Sequence, residues 1–350
     1  MSDTAFLVLN FNGLEFLPQC LGSLSSQSND PDIFLIDNCS TDNSLDFVIN
    51  NFPKIKIVKN TTNGGIGKAF NPVLKKIIRQ YDYIGLFNTD IDVDKKWLDT
   101  SKEFLKKNPD IYAVTSFTQS PDGRQVDTLG GTILNLPLGI FAGFMGDRPI
   151  SEVDKLYFTK PFPVFFGLIT GILVKSQAFA ECGFFDESYF MYFEDIDFCW
   201  RLLLHGKKIY CHPKAIIKHY GHGSIKTLKS QIFVSQKSET NLLSTLFNNL
   251  SPPLLLILLP VVTLSRLMMA LAYIFATPEI TKTKLTGIFI FYSKLFSGSL
   301  FQSRHFSQSL RRCTDIEVFS NNPQSLVNFA SVFQQAIPWL THSNKYKIKA

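Results

Sequence analysis

Short apolar runs alternate with longer amphipathic segments through the first 120 residues of the chain. The runs are rich in β-branched and aromatic residues and predict four strands: Phe6–Asn10, Ile33–Asp37, Ile55–Lys59 and Tyr83–Asn88. Between and after them, apolar residues at helical spacing predict four helices: Leu14–Leu24, Asn43–Asn51, Gly67–Gln80 and Lys95–Lys107. Regular alternation of strand and helix is typical of an α/β fold with a Rossmann-like, mostly parallel sheet and helices on both faces.

The pattern is less regular in the middle of the chain. Residues 120–165 are rich in Gly, Pro and Phe, and the sequence assigns them no element. Strand character returns at Phe165–Lys175, a helix is expected at Asp195–His205 with Gly206 closing it, and a strand is expected at Lys208–His212. The sheet is therefore expected to extend to about residue 225.

A helical, apolar region is expected from Lys226 onward. Leu254–Ala276 is mostly apolar but contains Pro260 and, near its centre, Arg266. A central arginine costs about 2.5–3.5 kcal/mol on insertion scales, and the proline weakens a single straight span. With Leu285–Phe301 this segment predicts a membrane-surface or re-entrant helical pair rather than a true crossing, the alternative being a soluble helical subdomain packed on the core.

The net charge of the chain also changes near the start of this apolar region. Residues 251–350 carry ten Lys and Arg against three Asp and Glu, which leaves residues 1–250 with a net charge of −1. A near-neutral first part argues against nucleic-acid binding, whereas basic and apolar residues together suit an anionic membrane surface at residues 251–301. The sequence thus predicts a catalytic domain at 1–225 and a helical, membrane-associated region at 226–350.

The cysteines and the first residues indicate a reducing compartment. The six cysteines show no C-x-x-C spacing, so neither a zinc site nor a disulfide framework is predicted. Met1–Asn10 has no basic segment or cleavage site typical of a signal peptide. We expect a cytoplasmic protein, peripheral on the inner face of the plasma membrane.

Polar residues follow three of the four predicted strands. They are Asn10-Phe11-Asn12-Gly13, the run from Asp37 to Asp42, and Asn88-Thr89-Asp90-Ile91-Asp92. Each loop could simply make turns and helix caps, but the carboxyl ends of parallel strands meet at one sheet edge, where ligands bind. Carboxylate and amide oxygens are ligands that Mg²⁺ or Mn²⁺ prefers, often shared with substrate phosphates. Asp90 and Asp92 are therefore candidate metal ligands, or caps of the following helix.

A glycine-rich loop lies before the third helix. Its sequence is Asn63-Gly64-Gly65-Ile66-Gly67, and its backbone N–H groups could approach a phosphate or ribose. It matches neither a dinucleotide fingerprint nor a phosphate loop. A glycine-permitted turn is an equally good interpretation.

The most specific segment combines acids with aromatic residues, from Gly183 to Asp197. Glu194 and Asp195 lie where a helix begins, and apolar surroundings raise a carboxylate pKa toward values useful for a general base. Asp197 and Arg201, four residues apart, predict an ion pair within that helix, which leaves Asp195 as the candidate base. His219, in Lys218-His219-Tyr220, is either structural or a metal ligand.

Together these segments resemble glycosyltransferase family 2, which has the GT-A fold, and particularly its rhamnosyltransferase-like members. The resemblance covers roughly residues 5–225 and is carried, in order, by Val8–Gly13, Ile36–Asp42, Asn63–Gly67, Leu86–Asp90, Thr170–Val174, Gly183–Arg201 and His219. It implies an inverting transfer of one sugar from a nucleotide-sugar donor, dTDP-rhamnose or a UDP-sugar, to a hydroxyl of a glycan or lipid-linked acceptor.

The resemblance also implies roles for individual residues. Asp195 is implied as the catalytic base with Glu194 beside it, and Asp90 and His219 as ligands of Mg²⁺ or Mn²⁺, with Asp92 as a possible addition. The implied donor-site residues are Asn10, Asn12, Asp37, Asn63, Gly64, Gly65 and Asn88.

Two departures from the family pattern qualify these expectations. Asn88 replaces the first carboxylate of the Asp-x-Asp metal motif, which weakens the expected metal affinity. The Gln-x-x-Arg-Trp motif of processive members is absent; Gln308-Ser309-Leu310-Arg311-Arg312 lacks its Trp. Single-sugar transfer is therefore favoured over polymer synthesis. Two alternatives remain: a sugar nucleotidyltransferase, although the first loop lacks the basic residues this chemistry needs, and an inactive membrane-anchored scaffold.

Overall fold

The computed structural model describes residues 2–136, 139–152, 156–221, 228–274 and 277–320. Its strands are β1 Thr4–Asn10, β2 Asp32–Asp37, β3 Lys56–Lys59, β4 Tyr83–Asn88, β5 Ile91–Val93, β6 Ile111–Gln119, β7 Gln125–Leu136, β8 Gly139–Pro149, β9 Phe162–Pro163, β10 Ile172–Lys175 and β11 Lys208–His219. Its α-helices are α1 Leu17–Ser25, α2 Ser44–Asn51, α3 Ile66–Ile77, α4 Trp97–Lys107, α5 Leu156–Thr159, α6 Ser176–Cys182, α7 Glu194–Leu204, α8 Leu228–Asn249, α9 Pro252–Ala272, α10 Pro278–Phe296, α11 Phe301–Ser309 and α12 Asp315–Ser320.

One twisted sheet organises the first 220 residues. Its order is β3-β2-β1-β4-β10-β6-β11-β5, with the first four strands parallel and in register from Ala5 opposite Asp32 to Asn10 opposite Asp37. Strand β10 is antiparallel to both neighbours, and β6 and β11 are parallel. The predicted α/β class with a mostly parallel sheet is confirmed, and the parallel order places the ends of β1, β2 and β4 side by side.

The predictions were wrong where the pattern was irregular. The strand character at Phe165–Lys175 becomes a strand only at Ile172–Lys175, and β11 runs seven residues past the expected end at His212. Its extension passes a bulge between His212 and Ile216, where Pro213 interrupts the pattern, because proline has no N–H for the ladder. Residues 120–165, left unassigned by the sequence, contribute the β7–β8 hairpin.

Apolar side chains cover both faces of the sheet. One face packs on α1, α2 and α4 through residues such as Phe6 and Trp97, whose Nε1 donates to Ser116 Oγ at 2.7 Å. The other face packs on α3, α6 and α7, and its core continues without interruption into Leu243 and Phe291 of the C-terminal helices. The predicted boundary at residue 225 is therefore crossed by one shared hydrophobic core.

The described part of the C-terminal region, residues 228–274 and 277–320, is mostly helical, as the sequence indicates, while residues 321–350 of the predicted region lie outside the described residues. Pro260 lies inside a continuous α9 rather than dividing it, because a proline removes one helical hydrogen bond while the neighbouring turns hold the helix. Among the described residues, Pro252–Ala272 alone is long and apolar enough to cross a membrane, judged by length and composition. The second helix of the expected pair is α10, which begins at Pro278.

Candidate active site

The loops that follow β1 and β2 form one hydrogen-bonded unit. Asn10 is fully buried, and its Nδ2 donates to Asp37 Oδ1 at 2.9 Å and to Ser40 Oγ at 3.0 Å. Asn12 adopts a left-handed φ of 52°, and its Oδ1 accepts from the Thr41 N–H at 2.7 Å. Three of the predicted donor-site residues thus come together. The carboxylate of the buried Asp37 accepts hydrogen bonds from Asn10 and Ser40 within this network. Its contact with a nucleoside stays a prediction.

The glycine-rich loop joins this unit to the acidic segment. Asn63 Oδ1 accepts from Asn38 Nδ2 at 2.8 Å and from the Gly65 N–H at 3.2 Å. Gly65 has a φ of 85°, and a Cβ there would lie 2.1 Å from the Phe190 carbonyl oxygen, which accepts the Ile66 N–H at 2.9 Å. Gly65 is therefore required by close packing against the acidic segment, as the turn interpretation expects.

A histidine lies between two carboxylates at the ends of β4, β7 and β11. His219 Nε2 is 3.2 Å from Asp90 Oδ2, and His219 Nδ1 is 2.9 Å from Asp127 Oδ2. Burial lowers the pKa of His219, but hydrogen bonds to Asp127 and Asp90 outweigh it and raise that pKa to about 10. The structure brings the predicted pair of Asp90 and His219 together, and each ring nitrogen of His219 contacts a carboxylate.

This pair fits one edge of a divalent-ion site. Adjacent ligands of an octahedral ion with bonds of about 2.1 Å lie about 3 Å apart, close to the 3.2 Å between Asp90 Oδ2 and His219 Nε2. Asp127 accepts from His219 Nδ1, and a carboxylate in this position commonly orients a histidine that binds a metal through its other ring nitrogen. An ion would displace the Nε2 proton. Within the described ranges, no group of three or more His, Cys, Asp and Glu could hold a metal ion, so phosphate oxygens or water would complete its shell.

Asn88 and Asp92 are not part of that pair. Asn88 ends β4, partly exposed, beside Leu9 of β1. Asp92 is the cross-strand neighbour of Lys218 in the β5–β11 ribbon, and Ile91 is that of His219. Because successive residues of a strand face opposite sides, Asp92 lies on the face away from His219, where it lines a groove with Lys218. The structure therefore does not bring Asp92 to the predicted metal position.

The two predicted catalytic acids begin α7. Burial and the neighbouring Asp195 charge raise the pKa of Glu194 well above its usual range, and burial raises the pKa of Asp195 to about 7. Glu194 is 3% exposed, and its Oε2 accepts no hydrogen bond from the described part of the chain, whereas Asp195 keeps partial exposure. Burial thus makes both acids hold a proton to higher pH than an exposed carboxyl does, and Glu194 is the more enclosed of the two.

The next turn of α7 is locked by an ion pair. Arg201 Nε donates to Asp197 Oδ2 at 3.0 Å, and both side chains are 2% exposed. Arg201 also donates to the backbone oxygen of Phe184 at 2.8 Å. The predicted structural pair is confirmed, and it fixes the start of the acidic segment to the helix that carries the acids.

Sequence reasoning missed Asp127 entirely. Val126-Asp127-Thr128 lies in the stretch to which no element was assigned, and Asp127 reaches His219 only because β7 pairs with β6, the neighbour of β11. The alternation of Val126 and Thr128 with polar neighbours is the single local signal for this strand.

Comparisons with known proteins agree with this architecture. The family model described as "Glycosyl transferase family 2" matches residues 6–179. The "N-acetylglucosaminyl-diphospho-decaprenol L-rhamnosyltransferase" of Mycobacterium tuberculosis is 25% identical over 241 residues, which are 63% of this chain and 78% of that protein.

Solved structures show the same fold. TarS 1-349 of S. aureus in complex with UDP-GlcNAc has a TM-score of 0.52 and 15% identity, covering 96% of this chain and 92% of that one. The mannosyltransferase PcManGT of Pyrobaculum calidifontis in complex with GDP-Man and Mn²⁺ has a TM-score of 0.51 and 12% identity, covering 91% and 86%. At these identities the likeness concerns the fold alone.

Proposed function

The chain belongs to glycosyltransferase family 2 and is a glycosyltransferase, and from that premise we propose that it transfers one sugar, with inversion, from a nucleotide-sugar donor to an acceptor hydroxyl. The observation that carries the proposal is the grouping of polar residues where β1, β2 and β4 end. Asn10 and Asp37 are hydrogen-bonded there, and Asp90, just beyond β4, contacts His219. The glycine-rich loop bonds to Asn38 through Asn63 and to Phe190, in the segment that precedes the acids of α7.

Asp195 is the proposed general base. Its partial exposure lets it touch an acceptor, and a pKa of about 7 suits a general base acting at neutral pH. The acceptor oxygen forms a bond to the anomeric carbon as the bond to the donor phosphate breaks, Asp195 takes the hydroxyl proton, and the nucleoside diphosphate leaves with the bonding electrons. The raised pKa of the buried Glu194 beside it opposes ionisation of both acids together at the start of α7.

Asp90 and His219 are the proposed protein ligands of Mg²⁺ or Mn²⁺, with Asp127 orienting His219. When bound, the ion supplies positive charge against the departing diphosphate. Asn10, Asn12, Asp37, Asn63, Gly64, Gly65 and Asn88 are the proposed surroundings of the donor.

The proposed donor is dTDP-rhamnose or a UDP-sugar, and the proposed acceptor is a glycan or a lipid-linked saccharide. The support is the mycobacterial relative, whose name describes rhamnosyl transfer to a lipid diphosphate sugar. A lipid-linked acceptor requires the active site to lie near a membrane.

The apolar surface of α9 and α10 supports that requirement. Exposed side chains recur every three or four residues along α9, and α10 adds two phenylalanines at a seven-residue spacing. They are Ile257, Val261, Leu264, Met268, Leu271, Phe289 and Phe296. Phe289 and Phe296 are 72% and 84% exposed. Such a face fits the acyl–headgroup boundary of a bilayer.

Arg266 does not oppose this placement, because it faces the protein. Its Nε donates to Glu239 Oε2 at 2.7 Å, and Lys284 Nζ lies 2.6 Å from Glu239 Oε1. With one face on α8 and the other open, α9 suits a helix lying on the surface better than one crossing the membrane. We propose peripheral attachment to the cytoplasmic face of the plasma membrane through residues 251–301.

The direct test is a transfer assay with the full chain. Radiolabelled dTDP-rhamnose and UDP-GlcNAc are supplied with Mn²⁺ and a bacterial lipid extract, and sugar in the lipid phase is measured for the unmodified chain and for Asp195→Asn. We expect transfer from one donor and a loss of about 10²–10⁴-fold in kcat in the variant. Asp92→Asn is the matched control and should keep its activity, because Asp92 lies on the opposite face of the ribbon.

Equal transfer by the chain and by Asp195→Asn would refute the base assignment. Binding of a nucleotide sugar without turnover under any of these conditions would favour the inactive scaffold instead.

A further inference from the structure

The backbone that leads into the two acids is held in an unusual conformation. Tyr192 and Phe193 are consecutive non-glycine residues with φ of 66° and 73°. Left-handed residues of this kind persist only where the surrounding structure fixes them, and they cluster at functional sites. Because Glu194 and Asp195 follow directly, the direction of these two residues decides where the acids point.

A single side chain of α8 holds this turn. Asn241 is 3% exposed, and its Nδ2 donates to the Met191 carbonyl oxygen at 2.9 Å and to the Tyr192 carbonyl oxygen at 2.8 Å. An amide NH₂ group has two hydrogens, so both are used. Two adjacent carbonyls are thereby fixed by one rigid planar group.

Asn241 belongs to a buried polar stripe on α8 that faces the acidic segment. Thr245 Oγ1 is 2.8 Å from the Tyr189 hydroxyl, and Asn249 Nδ2 donates to Asp197 Oδ1 at 2.8 Å. Residues 241, 245 and 249 are four apart and share one helix face. The stripe thus contacts the chain before, at and after the left-handed turn, and Asn241 is its member that hydrogen-bonds to the turn.

We propose that Asn241 is a positioning residue that holds the left-handed turn and so directs Asp195 toward the acceptor. The proposal rests on the proposed function, in which Asp195 is the base. It gives α8, which lies beyond the residues matched by the family model, a part in the chemistry.

The test compares Asn241→Leu with the matched control Thr245→Val in the full chain. Asn241→Leu keeps the branching of the side chain and removes both donors, whereas Thr245→Val removes a contact of the same stripe one helical turn away. For each variant, kcat, KM for the donor and the pH profile of kcat are measured with the donor and lipid extract used above, together with Tm.

We expect Asn241→Leu to lower kcat at least about tenfold, to change donor KM by less than about twofold and to move the pH midpoint of kcat. Thr245→Val should lower Tm without moving that midpoint. Should Asn241→Leu fail to fold, Asn241→Ser, which retains one donor and adds no bulk, is judged by the same criteria.

Unchanged kcat and pH midpoint in a folded Asn241 variant would overturn the proposal, as would equal effects on both variants. An active chain whose Asp195→Asn variant is fully active would refute the base assignment, and this proposal with it, while the proposed sugar transfer itself would stand. An active chain with an impaired Asp195→Asn variant and an unaffected Asn241→Leu variant refutes the positioning role alone.

Discussion

Two adjacent acids at the start of α7 have different environments. Glu194 is enclosed and lacks a hydrogen-bond partner at Oε2 within the described residues, while Asp195 is partly open and accepts the Ile196 N–H at 2.8 Å. The sequence identified both acids from their aromatic surroundings. It also favoured Asp195 as the base, but it could not show that Glu194 is the more enclosed of the two, because burial of each carboxylate depends on packing by residues far along the chain.

The pH dependence of the reaction follows from this division. A general base acts when deprotonated, and burial raises the pKa of Asp195 to about 7, so kcat should rise with pH, reach half its maximum near pH 7 and level off above it. A pH profile of kcat at saturating donor measures this. A midpoint near pH 4, the ordinary value of an aspartate, would show that the base does not have the environment described here.

The elements show why some of the site was predictable and some was not. The four parallel strands have strong apolar runs, and their end loops carry Asn10, Asp37 and Asp90, so local pattern and topology rules suffice to place these residues at one edge. The position of Asp127 beside His219 depends on the irregular β7–β8 hairpin, and the contact of Asn241 with the acidic segment depends on the packing of α8. Those contacts are long-range and have no local pattern from which to infer them.

A buried ionic cluster should hold the three long C-terminal helices together. Glu239 of α8 is fully buried between Arg266 of α9 and Lys284 of α10. Glu239→Gln keeps the shape but removes the buried carboxylate that the partly buried Arg266 and Lys284 share, and we expect a loss of about 3 kcal/mol in the free energy of unfolding. Urea denaturation measures it.

The matched control is Glu103→Gln, which removes one acid from the exposed Glu103–Lys107 pair and should leave the free energy of unfolding nearly unchanged, because solvent screens this pair. A Glu239→Gln variant as stable as this control would mean that the cluster does not join the helices.

At the scale of the whole molecule, the helices after residue 225 are both part of the core and part of the surface. Leu243 and Phe291 share the hydrophobic core with the sheet, while the outer side of α9 and α10 stays exposed. The sequence predicted the helices and their apolar character from composition. It could not show which side of each helix packs, because the runs are apolar nearly all round.

Membrane association should depend on that outer side. Ile257→Asp combined with Phe289→Asp places two charges on the exposed face. Burying each native side chain in a bilayer would contribute roughly 1.5–3 kcal/mol to the binding free energy, and the variant loses this contribution. We expect binding to phosphatidylglycerol-containing vesicles in a flotation assay to fall at least about tenfold.

The control is Ile49→Asp on α2, since Ile49 is 59% exposed and lies outside this face. Equal vesicle binding by the double variant, the control and the unmodified chain would contradict attachment through α9 and α10.

The measurement that tests the central claim most directly is the thermal stability of the purified chain with UDP-, dTDP- and GDP-sugars, each with and without Mn²⁺ or Mg²⁺. A ligand that binds only the folded state at about a hundred times its Kd stabilises it by about 2.7 kcal/mol. The account predicts stabilisation by one nucleotide sugar that requires the metal ion and disappears in Asp90→Ala. A folded chain that no nucleotide sugar stabilises, with either ion, would contradict it.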